Sequence, residues 1–380
     1  MIAFNLVGTN KNSGTKTFNT NFLKQLELSY VDEDILVYVS KSYISNLETK
    51  VSKKIQIKIK SDLFENFIIR FLWMQFYLPV ELKIKKVKVL FSSNNYSPLI
   101  IKYVNIRSVL FVHTVLPWHY FNLLPGNPLK KYFIKKIMEI SILNSEIIIV
   151  PSKFAKKMIS NNLKVNPDQI KVIFLGADHI SNTSQTIPKL KNFNYEDKYF
   201  LSVLSCARYH NIIKLLKAYK AFTSVTNFKI RFVIVLTILD QDYFNEIKDF
   251  VSKNFIDDQV LILPNLENDY LKNIYKNSLL YLFTSYSETF GLTSLEAMFY
   301  NKPLIISKTS ALEEINGNIP EYFDPDDVEE IKFKFLKVIN ENNLNNLDIN
   351  KKAVAQNQFK KYKWKKTFDE TFLVLKNFID

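Results

Sequence analysis

Glycine is scarce in this chain. Only six of its 380 residues are glycine, where average usage of about 7% would give roughly 27. In a sequence rich in Ile, Lys, Asn and Phe the surviving glycines are expected where no side chain fits. Cysteine is scarcer still. Cys206 is the single one, so an intramolecular disulfide framework is excluded and a reducing compartment is expected. Long apolar runs are also missing. The most apolar stretch, FIIRFLWMQFYL (67–78), is too short to span a bilayer and carries Arg70 and Gln75. The N-terminal MIAFNLVGTNKNSG lacks the basic start and long apolar run of a secretory signal. A soluble or peripheral protein is expected.

Acidic residues are short in one half only. Residues 1–190 hold 26 Lys+Arg against 12 Asp+Glu, and residues 191–380 hold 25 of each. The whole net charge of +14 therefore belongs to the first half. Such asymmetry points that half at something anionic, such as a membrane surface, a phosphorylated acceptor or nucleic acid. No RNA-recognition signature accompanies the basic clusters, so nucleic acid is not expected.

What the chain does have is apolar residues, 47% of the total, with 14% aromatic. That is enough for a substantial core, and the length suits two domains. The runs IAFNLV, ILVYV, IQIKI, VKVLF, SVLFVH and EIIIV read as strands of the first half, and FLSVL, FVIVL, VLIL, LLYLF and PLIIS as strands of the second. Several are unbroken, as in parallel strands covered on both faces. Between them, FNTNFLKQLEL, PLKKYFIKKIMEISI, IIKLLKAYKAF and DYFNEIKDFVS read as helices. The alternation implies βα units and one doubly wound sheet per half. The polar stretch 181–198 is the expected joint.

One stretch concentrates the chemistry: TSYSETFGLTSLEAM, residues 284–298. A strand ends at its start and a helix begins at Leu292. In a doubly wound fold ligands bind beyond the carboxyl ends of strands. Gly291 allows close approach, and the N–H groups of Gly291, Leu292 and Thr293 would face outward at the helix start, a site for phosphate oxygens. Glu288 and Glu296 flank that turn, where carboxylates can accept hydrogen bonds from vicinal hydroxyls. A diphosphate between two carboxylate-bound polyols describes a nucleotide sugar. The alternative is a capped turn with two exposed glutamates.

Here the sequence resembles the retaining glycosyltransferases of family 4 (glycosyl transferases group 1), which have the GT-B fold. Glu288 and Glu296 match that family's E-x7-E motif, and NKPLIISKTSALEEINGNIPEYFDPDD matches the text after it. The resemblance continues in HTVLPW (113–118), SKFAKKMI…KVIFLGAD (152–178) and YKWKKT (362–367). It implies an α/β architecture of two Rossmann-like doubly wound domains facing a central cleft, with a C-terminal helix crossing back to the first domain. The boundaries expected are 1–185 for the acceptor-side domain, 186–360 for the nucleotide-sugar domain and 361–380 for the returning helix.

By the same resemblance Glu296 would hold the ribose hydroxyls, Glu288 the transferred sugar, and the amides at Gly291, Leu292 and Thr293 the diphosphate. Gly14, in NKNSGTKTFN, matches the second glycine of a first-domain loop that passes close to the donor phosphates. His113, after the strand SVLFV, stands in the place of the family's active-site histidine. His119 and His179 read as structural or uninformative. The match departs after the strand FLSVL, where the family places an arginine or small residue and then a lysine. Here Ser205 and His210 stand at those positions. Lysine is charged at pH 7, whereas an ordinary imidazole with a pKa of about 6.5 is mostly neutral. A nearby diphosphate would favour the charged form, and Arg208 is the neighbouring residue that could supply a cation.

The implied activity is transfer of a sugar, with retention, from a UDP- or GDP-linked donor to a glycan or lipid-linked acceptor. The setting would be surface polysaccharide or lipopolysaccharide assembly at the cytoplasmic face of the inner membrane. The demand is for fixed donors around the departing phosphate, so neither cofactor nor metal is expected. The Asp-x-Asp matches, Asp32-Glu33-Asp34 and Asp324-Pro325-Asp326, read as solvated turns. Lysine-rich segments such as KKYFIKKIM (130–138), with Tyr132 and Phe133 able to dip inward, suit an anionic membrane surface. Two alternatives stand beside this reading. One is a catalytically impaired GT-B homologue that binds glycans or scaffolds other proteins; the other is a nucleotide-sugar epimerase of the same fold.

Overall fold

The computed structural model describes residues 1–8, 13–44, 53–182, 193, 197–226, 230–255, 259–266, 268–340 and 349–379. The chain forms two compact units. The first comprises Met1–Trp118, Asn127–Gly176 and Lys363–Asp380, the second His119–Gly126 and Ala177–Tyr362.

In the first unit seven strands build one sheet: β1 (Ile2–Leu6), β2 (Ile35–Ser40), β3 (Ile55–Lys60), β4 (Val89–Ser92), β5 (Arg107–Phe111), β6 (Ile147–Val150) and β7 (Ile170–Val172). Their order is β3-β2-β1-β4-β5-β6-β7 and every pairing is parallel. Central strands such as β1 and β2 are buried along their whole length, because helices cover both faces of such a sheet. At the edge, β3 has the sequence IQIKIK and is largely half-exposed. Lysines there blunt the unpaired strand edge.

The second unit repeats the plan with β8 (Tyr199–Cys206), β9 (Arg231–Ile238), β10 (Val260–Pro264), β11 (Leu280–Phe283), β12 (Leu304–Ser307) and β13 (Glu321–Phe323). The order is β10-β9-β8-β11-β12-β13, again all parallel. In each sheet the first strand lies between its second and fourth, so the crossovers run in opposite directions from it. The switch in crossover direction falls between β8 and β11, and the carboxyl end of such a switch point is the usual ligand position in this class of sheet. This is the two-domain doubly wound architecture that the sequence implied.

All eleven strands expected from apolar runs are present. Two more, β7 and β13, have three residues each and carry no run long enough to read. The stretch 67–78 forms helix. Phe67–Leu72 is α-helical, Trp73–Tyr77 is a π turn and Leu78–Ile84 is α-helical again. The expected joint at 181–198 lies largely outside the described residues. The first unit ends at Gly176 and resumes at Lys363, against expected boundaries after 185 and 360. At that border the Ala177 N–H donates to the Tyr362 carbonyl at 3.1 Å.

The helix Trp364–Lys376 packs in the first unit with Trp364, Phe368, Phe372 and Leu375 buried. Phe368 meets Phe22 at 5.0 Å and Trp364 meets Phe18 at 6.0 Å between ring centroids, both from the helix Gly14–Leu28. Glycine is required at 176 for this docking, since a Cβ there would lie 2.3 Å from the Trp364 nitrogen.

Candidate functional site

The crevice of the second unit is built from two loops. The strand β8 ends at Ser205 and Cys206, and the chain turns through a 3-10 turn, Arg208–His210. Asn211 then takes a left-handed conformation, φ +51°, before the helix Ile212–Val225. Asparagine tolerates that region because its short side chain bonds locally, and here its amide donates to the Pro325 carbonyl at 2.6 Å. The second loop follows β11 and runs from Thr284 to Gly291. The two are stitched together: the Tyr286 N–H donates to the Tyr209 carbonyl at 2.8 Å, and the Thr284 hydroxyl donates to the His210 carbonyl.

Gly291 closes the second loop at φ +81°, just before the helix Leu292–Phe299. A side chain would be strained there, and its Cβ would meet Leu312 Cδ2 at 2.5 Å. The Gly291 carbonyl accepts from Ser294, through its N–H at 3.1 Å and its hydroxyl at 2.7 Å. Helix geometry leaves the N–H groups of Leu292 and Thr293 without an acceptor in their own helix. They lie at the positive end of the helix dipole, beyond the carboxyl end of the sheet, as an anion site requires.

Glu288 sits inside this fabric. Its N–H donates to Ser310 Oγ at 2.7 Å and its carbonyl accepts from the Ala311 N–H at 3.2 Å. Ser285 Oγ donates to its Oε1 at 3.3 Å, and His210 Nδ1 stands 3.6 Å from the same oxygen. Burial raises the carboxyl group to about 8, opposed in part by the Ser285 hydrogen bond. The neighbouring imidazole is pushed down to about 3, again by burial, with a hydrogen bond to the Thr284 backbone offsetting part of it. Its ring packs on Tyr209 and Phe283, with centroids 4.3 and 5.8 Å away. His210 is thus a buried partner of Glu288 that its surroundings keep neutral, in line with the mostly neutral imidazole that its ordinary pKa implies.

Glu296 lies one turn into the helix and is 7% exposed. Tyr275, from the helix Asn268–Asn277, donates to its Oε2 at 2.9 Å, and His179 Nε2 stands 3.2 Å from its Oε1. An ionised carboxylate has about four lone-pair sites, so both oxygens keep accepting capacity. The sequence reads His179 as structural or uninformative; its place at Glu296 is a finding of the fold. The one available signal was its position directly after the motif-like FLGAD. Tyr275 carried no signal at all. His119, also read as uninformative, shares a hydrogen bond with Ser287 Oγ at 2.9 Å through Nδ1.

Arg208, the neighbouring residue that could supply a cation, is held by acidic partners. Its guanidinium makes a two-point contact with Glu246, approaches Asp240 at 3.9 Å and lies over the Tyr243 ring at 5.0 Å. It is therefore committed to the helix Gln241–Asn254. Ser205 shares a hydrogen bond with the buried Tyr209 phenol. The second Asp-x-Asp match is a capping structure. Asp324 Oδ1 accepts from the Asp326 N–H at 2.8 Å, while the Asp326 carboxylate accepts from Lys214 and, at 2.6 Å, from Tyr286. In the first match, Asp32 lies 3.5 Å from Lys54 and Glu33 lies 2.8 Å from Lys376.

In the first unit His113 follows β5 at the carboxyl end of the sheet. Its ring stacks on Phe111 at 4.4 Å and meets Phe18 edge-on at 5.0 Å. Burial lowers its pKa to about 3, partly offset by a hydrogen bond to the Ser93 backbone. Asn95 Oδ1 fixes the turn by accepting from the N–H groups of His113 and Thr114, at 2.6 and 3.2 Å. Gly14 opens the helix Gly14–Leu28 behind the N-cap Ser13. A Cβ at Gly14 would meet nothing within 4 Å, so the protein itself does not demand glycine there. Residues 9–12 of the same loop lie outside the described residues.

Known proteins carry the same two-part organisation. The model of "Glycosyltransferase Family 4" matches residues 34–179 and that of "Glycosyl transferases group 1" matches residues 183–355. Among curated relatives, the O-antigen chain mannosyltransferase RfbU of Salmonella typhimurium is 24% identical over 221 residues, 58% of each chain. The O-antigen chain mannosyltransferase B of Escherichia coli is 22% identical over 245 residues, 63% of this chain and 62% of that one. The chain thus spans about three-fifths of the length of the curated relatives it matches. Among solved structures, Anabaena HepE in complex with UDP-glucose superposes with a TM-score of 0.71 at 13% identity, covering 99% of both chains.

Proposed function

This chain belongs to the family 4 glycosyltransferases, and from that premise we propose that it moves a hexosyl group from a nucleoside-diphosphate sugar to a glycan or lipid-linked acceptor. The observation that carries the reading is the turn at Gly291. It opens a helix at the crevice of the second unit with Glu288 before it and Glu296 one turn into it. In this proposal the Leu292 and Thr293 amides take the diphosphate oxygens, Glu296 the ribose hydroxyls and Glu288 the hydroxyls of the sugar. The curated relatives act on O-antigen chains, which supports a surface-polysaccharide or lipopolysaccharide acceptor. Transfer with retention, by a route that needs no metal, completes the reading.

Chemically, the departing diphosphate develops negative charge. Preoriented amides at a helix start stabilise it without reorganisation, an effect worth several kcal/mol. His113 is held neutral by burial and its one ring N–H is used on the Ser93 backbone, so its other ring nitrogen can accept a hydrogen bond but supplies neither a donor nor a charge. The dipole end of Leu292–Phe299 is therefore the principal positive element that these residues offer.

Release of UDP and GDP from UDP-glucose, GDP-mannose and related donors tests this, with membrane extract as acceptor and with or without chelator. Acceptor-dependent release that survives chelation supports the proposal. Abolition by chelator, restored by manganese, would remove the metal-free part. A second reading has one observation in its favour, the neutral His210 where the family carries lysine. An impaired homologue would bind nucleotide sugar and release nothing.

A further inference from the structure

The helical run 67–84 in the first unit is apolar on two opposite sides. Its inward stripe comprises Arg70, Met74, Leu78 and Leu82, all buried. Met74, Leu78 and Leu82 join the core with Leu36, Tyr38 and Leu90. Its outward stripe comprises Ile68, Leu72, Phe76, Val80 and Ile84, every one exposed, with Phe76 at 69% and Ile84 at 73%. Both stripes advance in steps of four residues. On an α-helix each such step overshoots a full turn by about 40°, so four steps would swing a stripe by about 160°. The π turn at Trp73–Tyr77 is wider and takes back part of that drift. The turn thus keeps five large side chains on the solvent side along the whole run.

A second element extends this surface. The helix Pro128–Leu143 exposes Leu129 at 81%, with Tyr132, Phe133, Ile140 and Leu143 also exposed. Phe133 meets Phe71 at 5.8 Å between ring centroids, so the two helices are neighbours. Between them the segment at 97–104 is tied to both. Gln75 Oε1 accepts from the Leu99 N–H at 2.8 Å, and Asn144 donates to the Leu99 carbonyl at 3.1 Å. That segment adds the exposed Tyr103. Large exposed apolar side chains gathered on neighbouring elements mark an interaction site.

The charges around it choose the partner. Lys83 lies in the last turn of the first helical run and Lys85 and Lys86 follow it, Lys130 and Lys136 lie on the second, and Lys102 sits beside Tyr103; all six are exposed, whereas the acidic groups of the two helices are not. Those acidic groups are only Glu81 and Glu139, half-buried and bonded to Lys58 and Lys136 respectively. A second copy laid on this face would bring lysine against lysine.

We infer that this face docks in the plane of an anionic lipid bilayer, the outward stripe and Tyr132, Phe133 and Tyr103 entering the headgroup boundary while the lysines meet lipid phosphates. The inward stripe is held by the core, so the run lies on the bilayer and does not cross it. No helix among the described residues is long and apolar enough to cross. The inference stands apart from sugar transfer, since vesicle binding requires no turnover.

The test is co-sedimentation of the full chain with vesicles of phosphatidylethanolamine and phosphatidylglycerol, and with vesicles of phosphatidylcholine alone. Wild type is expected to partition onto the anionic vesicles, less so at high salt. The double variant Leu72→Ser, Phe76→Ser is expected to lose roughly tenfold or more in partitioning. Phe333→Ser, at an exposed apolar residue of the second unit, serves as control and should bind like wild type. Circular dichroism and melting temperature, unchanged in both variants, would confirm that the fold is kept. Absence of binding by wild type, or equal binding by the double variant, would overturn the inference. So would a dimer on gel filtration that the double variant splits, because a second copy would then own the face. Nucleotide release measured on the same samples separates this outcome from failure of the catalytic reading.

Discussion

His210 Nδ1 stands 3.6 Å from Glu288 Oε1, and burial favours the uncharged form of both groups. The pair therefore makes stability depend on pH in two opposed ways. Glu288, raised to about 8 in the fold from an ordinary 4.5, binds more proton when folded. Its contribution is full below the ordinary value and is lost as pH rises to 8. His210, lowered to about 3 from 6.5, contributes fully above its ordinary value and loses that as pH falls toward 3. Glu288→Gln is thus expected to gain stability relative to wild type between pH 5 and pH 8. Urea denaturation at the two pH values measures this; an equal difference at both would refute the assignment.

Replacing His210 by lysine puts a cation beside that carboxyl group. An opposite charge within about 4–6 Å favours the ionised carboxylate, commonly by one unit or more. His210→Lys should shift any Glu288-linked limb of the turnover profile to lower pH by about a unit and preserve or raise kcat/KM. A loss beyond tenfold would mean that the neutral imidazole itself is required.

Glu296 is the cleanest probe of nucleotide binding. If it accepts from ribose hydroxyls, Glu296→Ala loses hydrogen bonds to a charged group, each worth about 1.5–3 kcal/mol. Titration calorimetry with UDP and GDP should then show a Kd raised about tenfold to a hundredfold for whichever nucleotide binds. Tyr275→Phe removes only a support of that carboxylate and should cost less. Unaltered affinity in Glu296→Ala would end the ribose assignment.

Two glycines separate the demands of fold from those of ligand. Gly291→Ala meets both a left-handed backbone and Leu312, so a loss of about 1–3 kcal/mol in unfolding free energy is expected. Gly14→Ala meets nothing, and its melting temperature should hold. If the donor phosphates pass close to that loop, the donor KM of Gly14→Ala should still rise. Unchanged kinetics would leave Gly14 as a plain helix start.

Much of the architecture could be read from the sequence because buried parallel strands are apolar on both faces. ILVYV and LLYLF could hardly be anything else, whereas β7 and β13 are too short for any periodicity to declare them. The Gly291 turn was legible because its parts are adjacent in sequence. His179 and Tyr275 were not, since only tertiary packing brings them to Glu296. That His210 replaces a charged lysine was legible in the sequence; that burial keeps it neutral even 3.6 Å from Glu288 was not. The lysines of KKYFIKKIM were visible in the sequence, but not that FIIRFLWMQFYL turns half its apolar groups outward beside them.

The contact of Gly176 with Trp364 has a consequence for biosynthesis. Aromatic groups of the helix Trp364–Lys376 complete the packing around Phe18 and Phe22. During translation the amino-terminal lobe must therefore wait, its aromatic seam unsealed, while nearly two hundred intervening residues emerge. Ribosome-stalled chains halted before Trp364 should therefore be the ones that protease digests most readily.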